Sequence, residues 1–158
     1  MTTQTETLTA GPLALTLTWS GALLTGSALS WSETATPSLK LSAAGSAVQR
    51  VLANYVLGRS VTWPDLPLAE HKLPAFTRRV LATLRREVPH GHTVTYKELA
   101  EMAGSPNSAR AVGQVMGRNP WLLLVPCHRV LSTSGLGGYA SGEDLKRALL
   151  ELEGVPAP

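Results

Sequence analysis

The stretch TYKELAEMAGSPNSARAVGQVMG, residues 95–117, decides the fold of the second half of the chain. Thr95 and Glu98 have the spacing of a capping box, in which the threonine hydroxyl accepts from the Glu98 amide and the glutamate reaches back to the cap. A short helix is therefore predicted over residues 96–103, and Gly104 provides its stop.

A second helix is predicted directly after the first. Ser105 supplies an N-cap and Pro106 the first helical position, where its missing N–H leaves no donor unpaired, and the helix runs to about Met116. Two short helices joined by a tight glycine-containing turn occur in a helix-turn-helix, although this pattern alone is more typical of an αα-hairpin in a core. Small residues early in the second helix favour the former, because they let the backbone approach a groove closely. These residues are Ala109, Ala111 and Gly113, and Arg110 lies among them.

The first half of the chain predicts a small antiparallel sheet and one helix. Residues 13–19 alternate apolar and polar side chains, and a second extended stretch runs through Leu24, Leu29 and Trp31. Apolar residues recur at helical spacing over residues 42–57. Three prolines in residues 61–74 forbid a long helix there, so we place a linker in this segment.

The second half adds helices at both of its ends. Phe76, Val80, Leu84 and Val88 recur every four residues, and leucines over residues 145–152 form a final apolar stripe. We therefore predict an α/β (α+β) protein. Its domains would be an N-terminal sheet-and-helix domain over residues 1–70 and a mostly helical C-terminal domain over residues 74–158.

Cys127 is the first candidate for chemistry, in the run Val125-Pro126-Cys127-His128-Arg129-Val130. Neighbouring cationic or imidazole groups can lower the pKa of a thiol and raise the thiolate fraction that acts as nucleophile. The apolar residues 121–125 also predict a buried strand, in which an unpaired cysteine serves only packing. On this segment alone both interpretations stay open.

Composition narrows the class of protein. The chain has 158 residues and one cysteine, which excludes an internal disulfide and favours a reducing compartment without a metal centre. The residues His90 and His92 lie in a predicted turn without further ligands nearby, so we expect a loop there rather than a metal site. No apolar run reaches the ~20 residues of a membrane span and the N-terminus lacks a signal-peptide pattern, so we expect no membrane partner and a cytoplasmic location.

Positive charge is concentrated in one segment. Between Phe76 and Arg129 eight basic residues stand against three acidic ones, which fits a polyanion partner and also solvated helix faces. After Cys127, residues 134–142 form a glycine-rich loop that we interpret as a pocket wall, and Ser141 with Asp144 predicts the next N-cap. Glu153 lies at the end of the final helix, where the helix dipole disfavours a carboxylate, so either a partner or an exposed end is expected.

Residues 76–154 together resemble the catalytic domain of the O6-alkylguanine-DNA alkyltransferases, also called methylated-DNA–protein-cysteine methyltransferases. The matching pieces are Pro89-His90-Gly91, Thr93-Val94-Thr95-Tyr96-Lys97-Glu98-Leu99-Ala100, Ala109-Arg110-Ala111-Val112-Gly113, Asn119-Pro120, Pro126-Cys127-His128-Arg129-Val130, Gly138-Tyr139 and Leu149-Leu150-Glu151-Leu152-Glu153-Gly154. The N-terminal part resembles the family's ribonuclease-H-like domain in its pattern of strands and helix.

The resemblance implies a monomeric DNA repair protein without cofactors. A helix-turn-helix would flip an O6-alkylated guanine, chiefly O6-methylguanine, out of double-stranded DNA, and Cys127 would take the alkyl group permanently. His128 would deprotonate Cys127 through a water, Glu153 would orient His128, and Tyr96 would supply a proton to the departing guanine. Asn119 would tie the helix-turn-helix to the cysteine segment.

The resemblance also implies which residues contact DNA and base. The expected DNA contacts are Arg110, which would fill the vacated stack, Tyr96, Ala109, Ala111, Gly113, Arg118 and Arg129. The expected pocket residues are Val125, whose carbonyl would read the guanine edge, Pro126, Leu122, Gly138, Tyr139 and Ser141.

Two other functions remain as alternatives. An alkyltransferase-like protein would bind the lesion without efficient transfer, but tryptophan usually replaces the cysteine in those proteins. A cysteine hydrolase would need an oxyanion site and a water path, and the sequence indicates neither.

Overall fold

A computed structural model describes residues 2–158, which form two compact units. The first unit contains the chain up to Ala69 together with Pro120–Leu124. The second contains Glu70–Asn119 and Val125–Pro158. The boundary near residue 69 falls in the proline-rich linker segment. The sequence did not indicate that residues 120–124 would belong to the first unit. The two domains and their limits stay a prediction.

The first unit is built on a three-stranded antiparallel sheet in the order β1-β2-β3. Its elements are β1 (Thr3–Ala10), β2 (Leu13–Ser20), β3 (Leu23–Trp31) and helix α1 (Ala43–Tyr55). The predictions of β2, β3 and α1 are confirmed. Sequence analysis missed β1, because its TQTETLTA sequence has too few apolar residues for a clear alternation.

Residues 121–125 do not form the predicted strand. Instead, the segment is hydrogen-bonded to Ser27 of β3. The Ser27 amide donates to the Pro120 carbonyl at 2.8 Å, and the Ser27 hydroxyl donates to the Leu122 carbonyl at 2.8 Å. Leu123 then adopts a left-handed backbone with φ 72°, which turns the chain and ends the pairing. The segment is buried as expected, but the strand prediction is wrong.

The second unit is mostly helical. Its elements are α2 (Ala75–Glu87), β4 (Val94–Thr95), α3 (Tyr96–Met102), α4 (Ala109–Gly117), β5 (Val130–Leu131) and α5 (Glu143–Leu152). The two short strands β4 and β5 pair in parallel, which places the start of α3 beside the chain that follows Cys127. The capping box is confirmed, since the Glu98 amide donates to Thr95 Oγ1 at 3.1 Å and the Thr95 amide to Glu98 Oε1 at 2.9 Å. The α+β class is therefore confirmed.

Two predicted helix starts are wrong. Helix α4 begins at Ala109 and not at Pro106, because the Ser108 amide donates to the Ser105 carbonyl and closes a separate turn. The Ser105 hydroxyl accepts from Arg79 Nη2 at 2.9 Å instead of capping the helix. Helix α5 is preceded by Gly142 as its N-cap, so Ser141 does not hold that position. None of the helices in residues 2–158 is long and apolar enough to cross a membrane.

A buried carboxylate connects the sheet to α1 in the first unit. Glu6 of β1 is 7% exposed, and its Oε1 accepts from the Ser42 amide at 2.8 Å. Its Oε2 accepts from the Ser42 hydroxyl and from Trp19 Nε1, each at 2.7 Å. Since Ser42 caps α1, this carboxylate fixes the start of the helix to the sheet.

We expect Glu6→Ala to lower the free energy of unfolding by about 2–4 kcal/mol, because it leaves buried donors without an acceptor. The exposed Glu33 provides the matched control, and Glu33→Ala should change stability by less than about 0.5 kcal/mol. Urea unfolding of both variants measures the difference. Equal stabilities would show that water replaces the carboxylate at no cost.

Candidate active site

Cys127 lies at the wall of a cavity in the second unit. It opens a 3₁₀ turn, Cys127–Arg129, and is 4% exposed. The cavity has a volume of about 260 Å³. Its lining residues are Tyr96, Gly113, Met116, Gly117, Cys127, Gly138, Tyr139 and Ala140. A nucleophile therefore borders a space large enough for a small group, and its position is not that of a packing residue in a strand.

Helix α4 provides one side of this cavity. Gly113, Met116 and Gly117 follow the i, i+3, i+4 spacing of one helix face, and all three line the cavity. Sequence analysis placed Gly113 among the DNA contacts and missed Met116, Gly117 and Ala140. The helical spacing from Gly113 was the available indication for the first two.

Glu153 is the centre of a buried polar cluster behind Cys127. Its Oε2 accepts from His128 Nε2 at 2.5 Å. Its Oε1 accepts from Arg129 Nε at 2.7 Å and from the Gly91 amide at 3.0 Å. Glu153 therefore has partners, which decides the question left open by its place at the end of α5.

The protonation states of this cluster follow from burial and charge. Burial alone would raise the pKa of Glu153, but the hydrogen bond from His128 and the charge of Arg129 hold that pKa well below its usual range. Burial lowers the pKa of His128, against the opposing effect of Glu153. His128 is therefore neutral at pH 7, with the proton on Nε2 facing the carboxylate and a lone pair on Nδ1.

Cys127 does not have the lowered pKa that its neighbours in sequence suggested. Burial raises the pKa of the thiol, and a hydrogen bond from Asn119 and the charge of Lys146 offset this only in part. The cations adjacent in sequence are turned away, since His128 is neutral and Arg129 pairs with Glu153. The resting form is a thiol, so nucleophilic chemistry requires a base.

Lys146 is a buried cation that sequence analysis missed. Its Nζ donates to the Val130 carbonyl at 2.7 Å and to the Gly138 carbonyl at 2.9 Å, which joins β5 to the glycine-rich loop. Burial lowers its pKa to about 8, partly offset by Cys127. Lys146 and Glu153 are seven residues apart, which is two helical turns, and both are buried on the same side of α5 and its C-terminal end. This spacing could have identified Lys146 as a buried residue.

Asn119 holds the backbone before the cysteine. Its Nδ2 donates to the Val125 carbonyl at 2.9 Å, and the Cys127 amide donates to the same oxygen at 2.8 Å. Both lone pairs of that carbonyl are thus occupied. The role of the Val125 carbonyl in reading a guanine edge stays a prediction, and it requires the base to share this oxygen with two protein donors.

Tyr96 lines the cavity opposite the glycine-rich loop. Burial raises the pKa of its phenol, and a hydrogen bond from the Gly138 backbone opposes this rise. A Cβ atom at Gly137 would lie 2.8 Å from Tyr96 Oη, and φ at this residue is +76°. Glycine is needed here so that the loop can approach the phenol closely.

The remaining predicted site residues separate into three groups. Arg110 is exposed on α4 and Arg118 is exposed directly after it, while Ala109 and Ala111 are half-buried at the start of the helix. Arg129 is buried, and its Nη1 also donates to the Val88 carbonyl at 3.0 Å, so its charge is used inside the protein and we remove it from the DNA contacts. Leu122, Pro126 and Ser141 are not among the lining residues of the cavity, and Leu122 belongs to the first unit.

This arrangement matches one family in sequence. The profile of the 6-O-methylguanine DNA methyltransferase DNA-binding domain matches residues 75–155, the segment that carries the cavity and the cluster. The chain belongs to this family. The resemblance seen in the sequence is thereby confirmed.

Individual relatives agree with the family. A methylated-DNA–protein-cysteine methyltransferase of Metallosphaera sedula is 48% identical over 103 residues, which are 65% of this chain and 64% of that protein. One of Saccharolobus solfataricus is 53% identical over 72 residues, 46% of each chain. These matches thus span less than two thirds of the relatives' own length.

Solved structures extend the likeness to nearly the whole chain. The O6-methylguanine methyltransferase of Mycobacterium tuberculosis is 35% identical with a TM-score of 0.76, covering 99% of this chain and 96% of that one. The M. tuberculosis OGT in complex with DNA is 34% identical with a TM-score of 0.73, covering 98% and 95%.

We expect Glu153→Gln to lower the free energy of unfolding at pH 7 by about 3 kcal/mol, because it leaves the buried Arg129 without its counter-charge. The folded pKa of Glu153 lies below its unfolded value of about 4.3, so this stabilisation is present above that pH and is lost as the pH falls. The difference between the native chain and the variant should therefore shrink below roughly pH 4.

Urea unfolding at pH 7, 5 and 3.5 measures this difference. Glu151→Gln changes an exposed carboxylate in the same helical turn and is the matched control. A difference that is independent of pH would contradict the assignment of the charged carboxylate.

Proposed function

We propose that this protein repairs double-stranded DNA by moving the alkyl group of an O6-alkylguanine, chiefly O6-methylguanine, onto Cys127. The observation that carries the proposal is a buried thiol at a cavity wall, directly before an imidazole paired with an ionised carboxylate. The thioether formed on Cys127 would be permanent, so each molecule would act once. The names of the relatives support this activity.

The proposed reaction begins with deprotonation of the thiol. The Sγ–H proton passes through a water to His128 Nδ1, whose lone pair is available because Nε2–H is bound to Glu153. The ionised Glu153 then stabilises the imidazolium that forms. A neutral histidine beside a neutral thiol is the correct starting pair for this transfer.

Alkyl transfer would follow as an in-line displacement. The thiolate forms a bond to the alkyl carbon while the bond from that carbon to guanine O6 breaks, and the electron pair remains on the base. Tyr96 is the proposed source of the proton that neutralises the departing guanine, since it lines the same cavity as Cys127 and burial keeps its phenol protonated. No cofactor is required for this sequence of steps.

The DNA would bind at the helix pair α3 and α4, acting as a helix-turn-helix. Arg110 is exposed in the first turn of α4 and is proposed to fill the stack that the flipped nucleotide leaves. Gly113 lies one helical turn after Arg110 on the same side of α4 and lines the cavity, so a base rotated past Arg110 has a short path to Cys127. Arg118, exposed at the end of the helix, would contact the phosphate backbone.

We propose that the protein acts as a monomer, because one exposed helix pair and one cavity suffice for one flipped base. A cytoplasmic location and a ribonuclease-H-like first domain remain predictions. A lesion-binding protein without transfer is the competing function, and the next experiment separates the two.

After incubation with excess duplex DNA carrying O6-methylguanine, we expect one added methyl group on the peptide that contains Cys127. Intact mass and peptide mapping measure it, with unmodified duplex and the Cys127→Ala variant as controls. Tight binding to the lesion without added mass would favour the lesion-binding function. Methyl on another residue, or more than one equivalent per protein, would contradict the proposal.

Arg110→Ala should slow transfer from duplex DNA at least about tenfold, because a few kcal/mol of unstacking would no longer be offset. Transfer from free O6-methylguanine should change little, since no base has to leave a stack. Single-turnover rates on both substrates measure this, and Arg50→Ala, an exposed arginine of the first unit, is the control. Equal slowing on both substrates would point to a role in the cavity.

A further inference from the structure

Two buried polar atoms near Cys127 lack a partner. Among the described residues 2–158, His128 Nδ1 and Tyr139 Oη have no hydrogen-bond partner, although both atoms are inaccessible to solvent. An unpaired buried polar atom destabilises the protein, and buried polar groups in native proteins are nearly always satisfied by protein or by ordered water. Two unpaired atoms on adjacent rings therefore indicate a shared ligand.

The two rings lie against each other beside the thiol. Their centroids are 6.5 Å apart and the rings meet edge to face, with an interplanar angle of 81°. Tyr139 and Cys127 both line the cavity. The pKa of the phenol is raised well above its usual value by burial and by the proximity of Cys127 and Glu153, so the hydroxyl keeps its proton next to both groups.

We propose that Tyr139 is a positioning residue whose hydroxyl, together with His128 Nδ1 and Cys127 Sγ, holds the single water through which Cys127 is deprotonated. This inference rests on the proposed function and adds Tyr139 to the proton path. A buried water needs two to four polar partners, and these three atoms provide that number.

The proton balance of this site is complete. The Sγ–H bond breaks and its proton joins the water oxygen, while one proton of the same water forms a bond to His128 Nδ1. The water is regenerated, and the products are a thiolate and an imidazolium. The Tyr139 hydroxyl keeps its proton and donates a hydrogen bond to the water or to the thiolate, which favours the charged products.

Other groups also affect the ionisation of Cys127 and must stay constant in a test. The titratable or charged groups around it are Tyr96 from α3, His128 and Arg129 from the 3₁₀ turn, Tyr139 from the glycine-rich loop, Lys146 from α5 and Glu153 after α5. The Tyr139→Phe variant loses one hydroxyl. It keeps all the other groups and also the ring that packs on His128.

The test is the pH dependence of Cys127 alkylation by iodoacetamide, a small electrophile that needs neither DNA nor alkylguanine. For Tyr139→Phe we expect the midpoint of the profile to rise by roughly one pH unit, equivalent to about tenfold slower alkylation below the midpoint. Tyr55→Phe removes a phenol hydroxyl from the first unit and should leave the profile unchanged.

A second replacement keeps the test decisive if Tyr139→Phe does not fold. Incorporation of 3-fluorotyrosine at position 139 retains the hydroxyl and makes it a stronger donor, so the midpoint should fall. An unchanged midpoint in a folded protein would overturn the inference, as would slower transfer from DNA with an unchanged iodoacetamide profile. The expected shift combined with no methyl transfer from DNA would instead contradict the proposed function and leave the water site standing.

Discussion

The active-site half of the structure depends on one carboxylate. Glu153 accepts hydrogen bonds from His128, Arg129 and the Gly91 amide, which come from two separate segments of the chain. Because His128 and Arg129 are buried, their donors have no water to replace this carboxylate. The bonds from His128 and Arg129 keep Glu153 ionised, which in turn places the proton of His128 on Nε2 and leaves a lone pair on Nδ1. The same carboxylate therefore stabilises the second unit and sets the protonation state of His128.

Burial explains why the nucleophile is held in its unreactive form. The low polarity around Cys127 raises the pKa of the thiol, and Lys146 and Asn119 counter this only partly. Under the proposed function each molecule acts once, so a permanent thiolate would let any small electrophile consume the protein. A buried thiol that gains its charge through a neighbouring base restricts the reaction to a group already seated in the cavity.

Helix α4 brings the proposed DNA contact close to the cavity, because Arg110 and Gly113 are one helical turn apart on the same side of the helix. Arg110 and Arg118 are exposed, while Gly113 and Met116 line the cavity beside Cys127. A hydrogen bond from Arg79 to the Ser105 hydroxyl holds the turn before the helix. The start of α4 is therefore set by a side chain from α2 and not by a local cap. Lys146 performs a similar task for the opposite wall, where it holds the glycine-rich loop to β5.

The sequence by itself determined the elements whose causes are local. The capping box of Thr95, the periodicity of α2 and the alternation in β2 each depend on neighbours within a few residues, and each prediction is confirmed. The resemblance to a known family also pointed to Cys127, His128 and Glu153, and the structure pairs His128 with Glu153, while their catalytic roles stay a proposal. Only the tertiary structure decided the left-handed turn at Leu123, the late start of α4 and the burial of Arg129 and Lys146. In each case the deciding partner is distant in sequence, as Val88 is for Arg129 and Val130 is for Lys146, and long-range burial outweighs local propensity.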